Sequence, residues 1–145
     1  MAKTCVIDAS VALKWYLDDE EFVDEARELL RDYGDGKLII NVPDLFFVEI
    51  GNAFNVAVTR QRIEEEEAFE ALREMLELDI AGIDCQEFLI QAWKFARLYK
   101  CSFYDSLYIA VSDSSGCDFY TGDSKFYNIL KSSLKWIRWI GNYKK

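Results

Sequence analysis

Four of the chain's 26 acidic residues stand where a carboxylate needs a reason. Asp8 ends the apolar run Val6-Ile7 and precedes Ala9-Ser10-Val11-Ala12. Glu49 lines up at helical spacing with Leu45, Phe46, Ala53 and Val56, and a charge on such a stripe is costly unless it is paired, hydrogen-bonded or bound to a cation. Asp105 lies among Phe103, Tyr104, Leu107 and Ile109, and Asp123 follows Tyr120-Thr121-Gly122. Each has an ordinary account as well. Asp8 and Asp123 can cap the helices that follow them, and Ser102 with Asp105 makes a capping box. Glu49 can snorkel at an edge or pair with an Arg. Brought together, the four would repel one another by several kcal/mol per close pair. A divalent ion removes that conflict, and an all-oxygen donor set favours Mg²⁺ or Mn²⁺ over zinc.

The elements that must position these acids can be read from periodicity. Lys3–Asp8 reads as a buried strand, Ala9–Leu17 as a helix, and Asp19–Asp32 as an amphipathic helix with Phe22, Ala26, Leu29 and Leu30 inward. Tyr33–Gly36 is a turn and Leu38–Val42 a second buried strand. Pro43 suits the first turn of a helix running to about Arg60. Ile63–Leu76 follows as a helix with Ala68, Leu72, Met75 and Leu76 on one side, then Leu78–Ile83 as a short strand. Asp84 with Glu87 opens a helix to about Tyr99, and Ser102 with Asp105 opens one to Ser115, closed by Gly116. Asp118–Thr121 is a strand, Ser124–Lys131 a short helix and Leu134–Ile140 a last strand.

Short apolar strands alternating with helices predict parallel pairing and a sheet covered on both faces. The expected architecture is α/β: a single doubly wound domain over residues 1–145, with about four to five parallel strands flanked by helices. In such a sheet, ligands gather beyond the carboxyl ends of the strands, where Asp8 and Asp123 would emerge.

Composition narrows the chemistry. The chain has 145 residues, 51% apolar and 30% charged, and no histidine. A Ser-His-Asp triad, a Cys-His pair and His-based ribonuclease chemistry are therefore excluded. Neither a G-x-G-x-x-G nor a P-loop occurs. Cysteines 5, 85, 101 and 117 show no metal-ligand spacing, and Cys5 reads as a buried small hydrophobe. The N-terminus lacks a signal peptide's apolar core and no run reaches membrane-spanning length, so a cytoplasmic protein with no membrane partner is expected.

The net charge of −9 is unevenly spread. Residues 64–87 carry ten acids against one Arg, whereas 124–145 carry six Lys/Arg and no acid. The first run reads as a solvated helix face. The second is open between a phosphate-facing patch and a soluble end.

Four segments in order carry a resemblance: Val6-Ile7-Asp8-Ala9-Ser10-Val11, Val48-Glu49-Ile50-Gly51-Asn52-Ala53, Tyr104-Asp105-Ser106-Leu107-Tyr108-Ile109-Ala110 and Tyr120-Thr121-Gly122-Asp123-Ser124-Lys125-Phe126. In these the chain resembles the PIN-domain ribonucleases, especially the VapC toxins of VapBC toxin–antitoxin pairs, over nearly its whole length. The resemblance implies metal-dependent cleavage of RNA at an acidic site formed by Asp8, Glu49, Asp105 and Asp123. It further implies a supporting role for Thr121, a more distant one for Asn52, a cognate antitoxin and a homodimer. Gly51 departs from the small Ala commoner in the family, and the strong acidity departs from its basic grooves. Lys14, Arg60, Arg62 and Lys125 are the candidate RNA contacts.

The expected reaction is hydrolysis by a metal-activated water that leaves a 5′-phosphate, because the route through a cyclic phosphate lacks its usual His pair. Bound cations would present positive charge to a phosphate despite the acidic chain. Two other readings compete. One is a catalytically silent scaffold, with Trp15, Trp136 and Trp139 available for an interface, although retention of all four acids favours the enzyme. The other is aspartyl-phosphate chemistry, which would want a second acid two residues after Asp8, where Ser10 stands.

Overall fold

A computed structural model describes residues 1–145. Five strands, β1 (Lys3–Ile7), β2 (Leu38–Pro43), β3 (Ala81–Ile83), β4 (Asp118–Thr121) and β5 (Ile137–Trp139), form one sheet in the order β3-β2-β1-β4-β5. Every neighbouring pair is parallel. Parallel neighbours need crossovers, which the helices supply. Helices α1 (Ala9–Leu13) and α2 (Val23–Gly34) join β1 to β2, and α3 (Leu45–Thr59) and α4 (Glu65–Glu77) join β2 to β3. Helices α5 (Leu89–Tyr99) and α6 (Phe103–Ser115) carry the chain from one edge back to the middle, and α7 (Ser124–Leu130) joins β4 to β5.

The central strand is covered on both faces, as continuous apolar sequence requires: Cys5, Val6 and Ile7 are each at most 1% exposed. Burying a side chain such as Ile7 stabilises the fold by about 1.5–3 kcal/mol. Ile40 and Val42 of β2, Phe46, Ile50 and Phe54 of α3, and Tyr108, Ile109 and Phe119 join the same core. Strand order runs outward from β1 to β3 on one side, then resumes at β4 on the other. The reversal opens a crevice between the ends of β1 and β4.

Several sequence expectations shift by local competition. The first helix stops at Leu13, because Trp15 and Leu17 turn inward and the Trp15 indole donates to the Ala26 carbonyl at 2.8 Å. Helix α2 begins at Val23, since Phe22 takes a left-handed conformation with φ 59°. Pro43 ends a strand instead of starting a helix: it sits opposite Ile83 in β3, and helix α3 opens two residues later. On α4 the inward residues are Ala68, Ala71 and Met75, while Leu76 points out. Asp84 caps a 3-10 turn over Cys85–Phe88 ahead of α5, accepting from the Gln86 N–H at 2.9 Å. The last strand spans only three residues.

Other features follow the sequence closely. Gly116 ends α6 at φ 62°, the left-handed position that a C-cap favours. Trp15 is buried, and Trp139 packs edge-on against Phe22 at 5.4 Å, so both serve the interior. Trp136 donates to Ser112 Oγ at 3.0 Å. The basic C-terminal stretch is partly spent inside the molecule: Arg138 pairs with Asp118, Lys144 with Asp32 and Glu28, and Lys145 with Glu25. No helix is long and apolar enough to cross a membrane.

Candidate active site

Asp8 leaves the carboxyl end of β1 and Thr121 that of β4, so pairing of these strands places the two residues side by side at the crevice. The expected capping role for Asp8 is not taken up, for its side chain makes no helix-cap bond. Instead the Thr121 hydroxyl donates to Asp8 Oδ2 at 2.5 Å, and the Ser10 hydroxyl donates to Asp8 Oδ1. Each hydroxyl also accepts: Thr121 Oγ1 from the Asp123 N–H at 3.1 Å, and Ser10 Oγ from the Gly122 N–H at 2.7 Å. Two short side chains thus tie the end of β1 to the loop that delivers Asp123. Ser10 emerges as a site residue that sequence reading assigned no role. Its one signal in the sequence is a hydroxyl two residues after Asp8, within reach of the same strand end.

The tie leaves no room for a side chain at Gly122. A Cβ there would lie 2.5 Å from Lys14 Cε and 3.3 Å from Ser10 O and Oγ. Close approach, with no need for an unusual φ, is why glycine fits at this point.

Glu49 projects from α3 beside the buried stripe Phe46, Ile50 and Phe54 and is half-buried. It accepts a hydrogen bond at 2.5 Å from the hydroxyl of Tyr108 on α6. Tyr108 is 1% exposed and stacks on Phe119, with ring centroids 5.9 Å apart and planes 12° from parallel. Its hydroxyl feels the charges of Glu49, Asp8 and Asp105, and burial with those acids holds it protonated far above neutral pH. Tyr108 lies in one of the four segments that carry the resemblance, and only the tertiary approach of α6 to α3 gives it a partner.

Asp105 sits in the first turn of α6, half-buried. Half of the expected capping box forms, with the Asp105 N–H donating to Ser102 Oγ at 3.0 Å. Asp123 is exposed and caps α7, its Oδ1 accepting from the Phe126 N–H at 3.1 Å. Its ordinary role is therefore real, and it leaves Oδ2 free of protein hydrogen bonds.

The electrostatics link the group. Burial pushes the Asp8 carboxyl up to about 7, partly offset by the Ser10 and Thr121 hydroxyls and reinforced by the charge of Asp105. Burial also raises Glu49, with Asp105 adding to the rise and the Tyr108 hydroxyl opposing it. Asp105 is raised by burial and by the charge of Asp123, against the Ser102 hydrogen bond. The acids are close enough to resist one another's ionisation, yet no three are drawn into a geometry that holds an ion as it stands. The donor set still fits a hard divalent cation. It is all oxygen, and added positive charge would relieve the mutual repulsion.

The candidate RNA contacts separate into two pairs. Lys14 is buried and lies 3.5 Å from Glu20, and Arg62 forks onto Asp19 at 2.9 Å while reaching Glu20 at 2.7 Å, so neither is free for a phosphate as placed. Arg60 is exposed at the end of α3, and Lys125 lines a cavity with Asp105 and Asp123. Asn52 is exposed on α3, one turn beyond Glu49. Cys5 is buried, which pushes its thiol up to about 12 and leaves it inert.

A family model described as the PIN domain matches residues 5–131. Ribonuclease VapC1 of Mycobacterium tuberculosis (strain CDC 1551 / Oshkosh) is 30% identical over 122 residues, covering 83% of this chain and 86% of that protein. The same protein of strain ATCC 25618 / H37Rv matches to the same extent. Among solved structures, PAE2754 from Pyrobaculum aerophilum superposes with a TM-score of 0.63 at 23% identity, over 92% of this chain and 91% of that one. Mycobacterium tuberculosis VapC20, titled a sarcin-ricin loop cleaving toxin, superposes with a TM-score of 0.63 at 13% identity, over 90% and 95%. These two establish the likeness of fold.

Proposed function

Because the chain belongs to the PIN domain family, we propose that it is a metal-dependent ribonuclease, the toxin of a toxin–antitoxin pair, hydrolysing RNA at the crevice between β1 and β4. The observation that carries this reading is Asp8, a buried carboxylate at the strand-order reversal. Two hydroxyls hold it, and the charge of Asp105 presses on it. A carboxylate confined in this way, with further acids facing it, is poorly explained by stability alone.

Asp8, Asp105 and Asp123, with Glu49 beside them, are the residues that would hold Mg²⁺ or Mn²⁺. When bound, such an ion supplies charge for the scissile phosphate and acidifies a water. The chain's own part is orientation. Ser10 and Thr121 each engage one oxygen of Asp8, and a carboxylate oxygen can accept more than one bond, so both oxygens retain acceptor capacity. Tyr108 fixes Glu49 in the same way through a single donor. In the hydrolysis, water oxygen attacks phosphorus while a carboxylate takes the water's proton, the bond to the 3′ oxygen breaks, and that oxygen takes a proton from solvent. The products are a 3′-hydroxyl and a 5′-phosphate. Preorganised carboxylates spare the reorganisation that a flexible site would need. The sequence likeness to the VapC ribonuclease extends the proposal to an antitoxin partner, a homodimer and a cytoplasmic setting.

The test is cleavage of labelled single-stranded RNA by wild type and Asp105→Asn, each with Mg²⁺, Mn²⁺ or EDTA. Cleavage that EDTA and the substitution both abolish, leaving 5′-phosphate ends, supports the reading. A cyclic-phosphate product refutes the mechanism. No cleavage together with no Mn²⁺ binding by titration calorimetry refutes the enzyme and leaves a scaffold.

A further inference from the structure

The crevice that holds the acids continues into a cavity of about 240 Å³, formed where the turn between α5 and α6 faces the first turns of α7. Asp105 and Asp123 line it, and Lys100, Ser102, Lys125 and Ile129 also stand in its wall. Lys100 and Lys125 are exposed and make no ion pair, although each stands in a wall with two carboxylates. Lys3, Lys14, Lys37, Lys144 and Lys145 lie within 4.0 Å of an acid, and Lys94, Lys131 and Lys135 are unpaired like the cavity pair. Lys100 and Lys125 are distinguished by being unpaired while sharing a cavity wall with Asp105 and Asp123. In a chain with a net charge of −9, a cation that leaves nearby carboxylates unpaired keeps its charge available to another anion. Lys100 also does not stand alone. Lys94 and Arg97 precede it on α5 at three-residue spacing, both exposed and unpaired, so a line of free cations leads along the helix to the cavity.

We propose that this cavity is a phosphate subsite for the RNA strand next to the scissile bond, with Lys100 and Lys125 as its two cations and Ile129 as an apolar contact for the neighbouring ribose or base. The proposal rests on the nuclease reading above and gives it a direction: the strand leaves the acidic crevice over the α5–α6 turn and follows α5. Phosphate contacts of this kind fix the register of a strand without reading its sequence. Lysines suit the task because they act as point charges on flexible stems.

The experiment measures binding of a short labelled single-stranded RNA to full-length Asp8→Asn protein with Mg²⁺ present, by fluorescence anisotropy over a range of salt. Lys100→Gln, Lys125→Gln and their combination are compared with Lys135→Gln. Lys135 is exposed and unpaired, but it precedes β5 and so lies at the amino end of the strands, away from the carboxyl ends where the acids emerge. Each cavity variant is expected to weaken binding about fivefold or more and to reduce the slope of log affinity against log salt by about 0.7, the double variant by about 1.4. Lys135→Gln, an equal change in net charge, should leave both readings near the parent value. KM for the same RNA in proteins that retain Asp8 should rise in the same order, and it decides the matter where Asp8→Asn binds too weakly to measure. Circular dichroism melts confirm that the variants remain folded. Cavity variants that behave like Lys135→Gln while wild type cleaves RNA overturn the subsite and leave the nuclease standing. If wild type neither binds nor cleaves RNA, both fall.

Discussion

Replacing Asp8 by Asn should stabilise the metal-free protein at alkaline pH while abolishing cleavage. Asp8 is buried at the end of the central strand, and its carboxyl titrates at about 7 against an ordinary 3.8. The folded chain therefore holds this proton more tightly than the unfolded chain does. Between about pH 4 and pH 7 the native state binds more protons, so stability from this group falls as pH rises and the penalty is complete near pH 8. At about 1.4 kcal/mol for each unit of pKa, the rise corresponds to about 4 kcal/mol. Glu49 and Asp105, also raised, act in the same direction. An amide carries no charge to bury, and its oxygen can still accept from Thr121 or Ser10. For a domain of this size each kcal/mol moves the melting temperature by about 2–4 °C. Thermal melts in EDTA should then show Asp8→Asn about 8–16 °C above wild type at pH 8.5, about 3–7 °C above it at pH 5 and nearly level with it at pH 3. Mg²⁺ should restore stability to wild type alone, since an ion that binds only the folded state stabilises it. Parallel pH profiles for the two proteins, or an Asp8→Asn protein that melts below wild type at pH 8.5, would refute the reasoning.

Three further outcomes follow from individual contacts. Tyr108→Phe keeps the stack on Phe119 but removes the donor to Glu49. It should cost about 1.5–3 kcal/mol in urea unfolding at neutral pH and weaken Mn²⁺ binding severalfold by calorimetry. An unchanged Mn²⁺ affinity would detach Glu49 from the ion. Gly122→Ala brings a methyl group to 2.5 Å from Lys14 Cε. Either the tip of the Lys14 side chain swings aside or the Asp123 loop shifts away from Ser10, 3.3 Å from the new methyl group. If the loop shifts, cleavage should fall at least tenfold with only a small change in melting temperature, and a variant as active as wild type would show that Lys14 yields instead. Asp32 is held below the ordinary carboxylate range by hydrogen bonds from Lys144 and Tyr143. Its contribution is present above about pH 4 and lost as pH falls through the lowered value. Asp32→Asn should therefore destabilise by about 1 kcal/mol at pH 7 and by progressively less as pH falls below about 4, read from urea melts; a difference that does not shrink toward acid would mean that charge is not the cause.

Much of the molecule is fixed by short-range pattern. The buried strands 38–42 and 118–121, the glycine at the end of α6 and the Ser102 cap depend on residues a few positions apart, and local sequence specifies them. Alternating strands and helices likewise fix a parallel sheet, which brings Asp8 and Thr121 to one edge. Tertiary structure decided the rest. The first helix ends early because Trp15 reaches Ala26, and Pro43 lies in a strand because Ile83 pairs with it. Lys14 and Arg62 face acids of the segment at 18–20, which no spacing between them and a phosphate could have shown. The supports of the site lie furthest from local pattern. Thr121 holds Asp8 across 113 positions and Tyr108 holds Glu49 across 59. A hydroxyl's partner is whatever the packed helices and strands bring within 3 Å of it. Periodicity places a residue on a face of its element, and only the docking of elements decides what that face meets.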